Sequence, residues 1–383
     1  MNNLTLCFLF LTSFLQPFSF RPPSPEPRHQ IRVAVVQKAD NVVLSIRGKY
    51  KLVNQKTNGL LTSGRALRNS RVQAVPNGIH IGQQFYPCPR LRILAQKDVM
   101  IRQGKKSQRF RGIIDIISDK NQKLLVVNTL DLEIYIKGVL YHEISYRWPL
   151  EAIKAQAVAA RTYAFYQSQA AAEGSEYDLT NDVYSQVYGG KSAERYRTSL
   201  AVDRTKDEFL KYKGKILPAY FHSACGGHTE DARELWNHDL PPLAGVRCGF
   251  CRKAPHYRWK KNFRSKDVQE KLNKNGYTID LIKEIRVVAR DRSRRIRSLV
   301  IFTRSGQREI ISGKALRNIL GPNELKSNYY KVEMKGYYFD VYGRGWGHGV
   351  GMCQWGAFFM SKQRYDYKEI LKHYYPGAEI VKD

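Results

Sequence analysis

A single carboxylate, Glu143, stands just ahead of a long, alanine-rich stretch that carries Lys154, Gln156 and Arg161. Ile144, Tyr146 and Trp148 follow it closely. Such neighbours strip water from a carboxyl group, raise its pKa and suit it to act as a general acid at neutral pH. An acid beside cationic and amide side chains matches the needs of glycosidic-bond cleavage, and few other functions ask for it. The plain alternative is an exposed glutamate at a helix end.

Three further constellations carry chemistry. Gln186 and Tyr188, two apart in DVYSQVYGG, can hydrogen-bond to and stack on a sugar, or simply pack in a turn. In GRGWGHGVGMCQWGA, glycines alternate between a strand and a helix. That spacing is not the G-x-G-x-x-G of a dinucleotide site, and no G-K-[ST] of a phosphate loop follows. The glycines are expected to let the backbone pass close to a bound strand, with His348 and Gln354 projecting polar atoms. Third, Cys225 and His228 form a C-x-x-H pair, and Cys248 and Cys251 follow as a C-x-x-C pair. Two chelating turns suffice for tetrahedral zinc, and His222 is placed to substitute for His228. A disulfide or free thiols compete with that reading. A closed four-ligand zinc site is structural, so catalysis itself calls for no cofactor.

The elements that must position these residues follow from period and punctuation. From Ile31 to about Val127, short alternating runs (IRVAVV, NVVLSIRG, GIHIG, LRILA, GIIDII, KLLVVN) predict an antiparallel β-rich subdomain. From Asp131 the period turns helical: Leu132, Ile136, Val139 and Leu140 share a face that ends near Glu143. Pro149 opens a second helix, whose buried stripe is Ile153, Ala157, Ala160 and Ala164. Lys154 and Arg161 should then project from another face. Strands at 282–290, 298–304, 309–312 and 330–341 and helices at 314–320, 354–361 and 367–374 complete the pattern. The fold class is α+β: a β-rich subdomain (31–127), then a helical catalytic core (128–383) with a basic β-rich insertion at about 258–340.

At 383 residues, with 43% hydrophobic and 12% aromatic side chains, the chain can bury a full core. Its net charge of +30 suits a polyanionic partner. The basic residues are scattered (Lys105–Arg111, Arg258–Lys266, Arg290–Arg297), and no nucleic-acid-binding signature appears. Residues 1–20 hold no charged side chain and centre on an apolar run from Leu4 to Leu15, as a signal peptide does. Residues 21–30 read as a linker, so export from the cytoplasm is expected. No other segment reaches the roughly 18 apolar residues of a membrane span. Of the six cysteines, Cys7 lies in that leader, and the remaining five are odd in number, with three clustered. This disfavours a disulfide framework.

Four runs, 126–164, 182–190, 219–237 and 343–357, come in order and resemble the stage II sporulation protein D / amidase-enhancer (SpoIID/LytB) proteins. That family includes lytic transglycosylases, which cut peptidoglycan glycan strands stripped of their stem peptides. The resemblance makes Glu143 the catalytic acid and Lys154, Gln156 and Arg161 residues of the same cleft; it also favours substrate contact for Gln186 and Tyr188. One carboxylate suffices for such an enzyme, whereas glycoside hydrolysis generally uses two. The lactyl carboxylates of the strand suit a basic protein. A non-enzymatic enhancer of a cell-wall amidase is the alternative that the family allows, and a nucleic-acid binder is the remote one. Some relatives carry metal-binding Cys or His just before the Gln-x-Tyr motif; residues 182–185 offer neither, so that site is not transferred. Cys353 stands where many relatives carry serine, which implies no thiol chemistry.

Overall fold

The computed structural model describes residues 29–182 and 185–382. The expected leader (1–20), Cys7 with it, and the linker up to residue 28 lie outside the described residues. The chain is α+β. Gln30–Ala39 pairs antiparallel with Leu124–Asp131, and Ile113–Ser118, Arg90–Ala95, Asn41–Asn54 and Leu60–Val75 follow outward in one sheet. Alternating side chains of these strands, Leu44, Leu52, Leu91, Ile93, Ile114 and Val126 among them, build the first core. Leu60–Val75 escapes the sequence pattern because it leaves most of its side chains at least partly exposed and so shows no apolar alternation.

The sheet delivers the chain directly into α1 (Leu132–Glu143), where the Asp131 side chain caps the helix by accepting from the Glu133 and Ile134 amides. Pro149 is the N-cap of α2 (Leu150–Gln169). Ile153, Ala157, Ala160 and Ala164 face the first core as expected, but Ala152, Ala155, Val158 and Ala159 are equally buried in a second one. α2 is therefore a central helix with two apolar stripes. Its small side chains let neighbours approach closely on both sides.

After α3 (Tyr196–Arg204) and the short α4 (Ala232–Trp236) comes a region with its own third core. It contains Arg258–Arg264, α5 (Ser265–Lys274), the meander Ile282–Arg290, Ile296–Thr303 and Arg308–Ser312, and α6 (Gly313–Leu320). The strand expected at 330–341 is a hairpin, Tyr330–Lys335 and Tyr338–Arg344, which turns through Gly336 at φ 62°. The buried Arg295 ties this region to the rest, donating to the carbonyls of Cys225 (2.8 Å) and His228 (3.0 Å). α7 (Gln354–Lys362) and α8 (Tyr367–Tyr374) then return to pack on α2. No helix among the described residues is long and apolar enough to cross a membrane.

Candidate active site

The last residue of α1 opens into a cleft of about 590 Å³, bounded by Tyr163 and Gln167 of α2, the stretch 185–187, Tyr220, Phe221, Trp236 and His348. Glu143 is the only carboxylate among its described lining residues. Burial drives the Glu143 carboxyl from an ordinary 4.5 up to about 7, and a hydrogen bond from the Val187 amide opposes the rise only in part. At neutral pH this group can therefore give up a proton and take one back.

Gln186 holds the stretch that supplies the Val187 amide. Its Oε1 accepts from the Tyr135 hydroxyl (3.2 Å) and its Nε2 donates to the Ala160 carbonyl (3.3 Å). Tyr188 lies outside the cleft. It is buried against Tyr135 and Phe110, and its hydroxyl donates to Asn128 Oδ1 at 3.1 Å. The aromatic wall also differs from the expected one. Tyr220 stacks on Trp236 with ring centroids 4.3 Å apart, and Tyr163 packs against Tyr220 at 5.6 Å. Ile144 is buried in the first core, and Trp148 packs on Trp355 and Phe358. The cleft aromatics sit inside run 219–237 and on α2, but nothing in their spacing ties them to Glu143.

Lys154 and Arg161 also stand away from the cleft. Lys154 pairs with Glu151 at 2.7 Å and covers the Tyr367 ring. Arg161, wholly buried, makes a two-pronged ion pair with Glu133, both contacts at 2.7 Å, and donates to the Glu208 and Val202 carbonyls. A helix face that looks polar in sequence is here filled by an internal ion pair joining α1, α2 and α3.

The glycine-rich run packs against protein. A Cβ on Gly345 would lie 2.5 Å from the Ala224 carbonyl oxygen, and one on Gly347 2.8 Å from His222 Cβ, both at positive φ. The run is thus laced to 221–230, through Phe221–His222 pairing with Met352–Cys353 and through bridges at Ala224 and Glu230. His348 reaches the cleft, yet both its ring nitrogens are taken: Nε2–H donates to the Phe221 carbonyl (2.9 Å) and Nδ1 accepts from the Val350 amide (3.1 Å). Burial holds His348 neutral, with its pKa down at about 4. Gln354 sits behind the cleft. Its Nε2 donates to the main-chain carbonyl of Glu143 and to Oε1 of the buried Gln156.

The Sγ atoms of Cys225, Cys248, Cys251 and Cys353 lie within 4.8 Å of one another in the second core, a grouping that could hold a metal ion. The fourth member is Cys353 and not His228. Neither imidazole offers a nitrogen within the cluster: His228 Nδ1 donates to the Thr229 carbonyl and His222 Nδ1 to that of Val350.

The sequence profile of the stage II sporulation protein family (SpoIID) matches residues 120–212, which include Glu143 and the 185–188 stretch. A domain of unknown function (DUF8618) matches residues 246–351. An uncharacterized protein of Brachyspira hyodysenteriae is 34% identical over 352 residues, 92% of this chain and 92% of its own. The amidase enhancer of Bacillus subtilis is 27% identical over 64% of this chain and 40% of its own length. Stage II sporulation protein D of the same organism is 32% identical over 66% of this chain and 75% of its own. The chain belongs to the stage II sporulation protein D / amidase-enhancer (SpoIID/LytB) family.

Proposed function

We propose that the protein works outside the cytoplasm on the bacterial cell wall, as a lytic transglycosylase that cuts peptidoglycan glycan strands stripped of stem peptides. The observation that carries this reading is the lone Glu143 carboxyl, poised near 7 in a cleft whose other described lining residues are aromatic, amide, imidazole, hydroxyl or aliphatic. In its neutral form Glu143 donates a proton to the oxygen joining N-acetylmuramic acid C1 to the next sugar. The C1–oxygen bond breaks with charge developing on the ring, and the new carboxylate lies on the same side to stabilise it. The 6-hydroxyl of the same muramic acid then attacks C1 and returns its proton to Glu143. One bond breaks, one forms, no water is consumed, and the product ends in a 1,6-anhydro sugar. Glu143 is regenerated as the acid.

Tyr220 and Trp236 offer the stacking faces, and the net charge of +30 favours a strand bearing lactyl carboxylates. Nothing in this mechanism passes through the four cysteines. The likeness to an amidase enhancer supports a second reading, in which the same cleft binds glycan and the protein stimulates a cell-wall amidase without cutting. Incubation with denuded glycan and mass spectrometry decides between them. Anhydro-muramyl products that vanish in Glu143→Gln support cleavage. Glycan binding without products, with stimulation of a partner amidase, supports the second.

A further inference from the structure

Three stretches of chain that are distant in sequence bring four thiols together. Cys225 lies three residues past the short strand Phe221–His222, Cys248 precedes the 3-10 turn Phe250–Lys253 that contains Cys251, and Cys353 caps α7. All four are 0–1% exposed. Main-chain donors point at the sulfurs: the amides of Cys225 and Gly356 at Cys353 Sγ (both 3.3 Å), and that of Gly227 at Cys225 Sγ (3.4 Å). The Tyr374 hydroxyl lies 3.2 Å from Cys248 Sγ. Neutral thiols gain little from such a shell, whereas thiolates need it, and four thiolates buried together need a cation.

Spacing selects the cation. Cys225 and Cys251 Sγ are 3.4 Å apart, and no pair in the cluster exceeds 4.8 Å. A Zn–S bond of about 2.3 Å gives a tetrahedron with edges of about 3.8 Å. An all-sulfur tetrahedron suits zinc among the divalent ions, and four protein ligands leave no open position. We propose that Cys225, Cys248, Cys251 and Cys353 form a closed zinc site that clamps the glycine-rich run to the 221–228 turn. Cys353 is the neighbour of Gln354, which reaches the Glu143 carbonyl, and the clamped run carries His348 into the cleft. The ion thus holds one wall of the cleft in place. This assignment stands whether or not the cleft cuts glycan.

The full chain, purified under reductant and dialysed, is expected to carry one zinc per molecule by plasma mass spectrometry. A mercurial should release that zinc as the four thiols are titrated. Cobalt substitution should give the intense visible bands of tetrahedral cobalt thiolate. His228→Ala should keep the ion, as should Cys88→Ser, which changes a cysteine buried in the first core and outside the cluster, whereas Cys353→Ser should lose it to a chelator at a concentration lower by about tenfold or more. If Cys353→Ser does not fold, the mercurial titration of the wild type and retention in His228→Ala still decide the ligand set. A zinc-free protein with disulfides or freely titrating thiols overturns the proposal. So does iron in place of zinc, or loss of zinc in His228→Ala.

Discussion

Gln354 donates from Nε2 to the main-chain carbonyl of Glu143 across 3.1 Å, although 211 positions separate the two residues. The last carbonyls of a helix have no partner within it, and α1 ends at Glu143. An amide from α7 therefore fixes the backbone of the candidate acid, while the same Nε2 donates to Gln156 Oε1 at 3.3 Å. Gln354→Leu should cost about 1–3 kcal/mol in urea unfolding, because a partly buried carbonyl loses its donor. It should also slow cleavage roughly tenfold to a hundredfold with little change in KM, since misplacing an acid by about 1 Å has that effect. Adding Gln156→Leu should cost much less than the sum of the single changes. Full additivity would show that the two amides act separately.

Glu143 makes a prediction that needs no substrate. Its folded pKa of about 7 lies above the ordinary 4.5, so the native state keeps its proton to higher pH than the unfolded chain does. The stability this gives is complete below pH 4.5 and is lost as pH rises through about 7. Relative to Glu143→Gln, the wild type should weaken by about 3 kcal/mol between the two limits. Parallel pH profiles for the two proteins would show that Glu143 titrates normally and is no poised acid.

Arg161 is expected to act through stability alone. Arg161→Met strands the largely buried Glu133 without its partner and should destabilise by about 3–5 kcal/mol. Arg161→Lys should recover only part of this, because lysine cannot make the two-pronged contact. Glycan affinity of the folded Lys variant should equal that of the wild type. A change in affinity with stability intact would return Arg161 to the substrate.

Trp236 lies on the cleft wall with Tyr220 against one face. Trp236→Ala should weaken binding of denuded glycan by about 1–2 kcal/mol, roughly five- to thirtyfold in Kd, because a stacking face is lost. Trp148→Phe, whose ring packs on Trp355 and Phe358, should leave Kd unchanged. Equal effects from both would place the glycan elsewhere.

The alternation of apolar residues in IRVAVV or GIIDII and the change to a helical period after Asp131 are local signals, and they make several of the N-terminal strands and the course of α1 into α2 legible in the sequence alone. Glu143 stands out for a similar reason, since its solitude and its apolar neighbours are visible within a few residues. The C-x-x-C turn is equally local, so Cys248 and Cys251 announce themselves.

The tertiary structure decided everything that depends on which face meets which. Arg161 reads as a polar cleft residue on a face away from the buried stripe, and only the arrival of Glu133 beside it ties it into an internal ion pair. Cys353 stands 102 positions beyond Cys251, and a thiol that distant carries no spacing signal of its own. The glycines of 343–351 look the same whether a sugar or a peptide lies across them; the Ala224 carbonyl and His222 fill that space. Period and capping are properties of a single segment, so sequence records them. Long-range contacts are settled by packing, because a buried polar group takes whatever partner the folded chain brings within hydrogen-bonding distance.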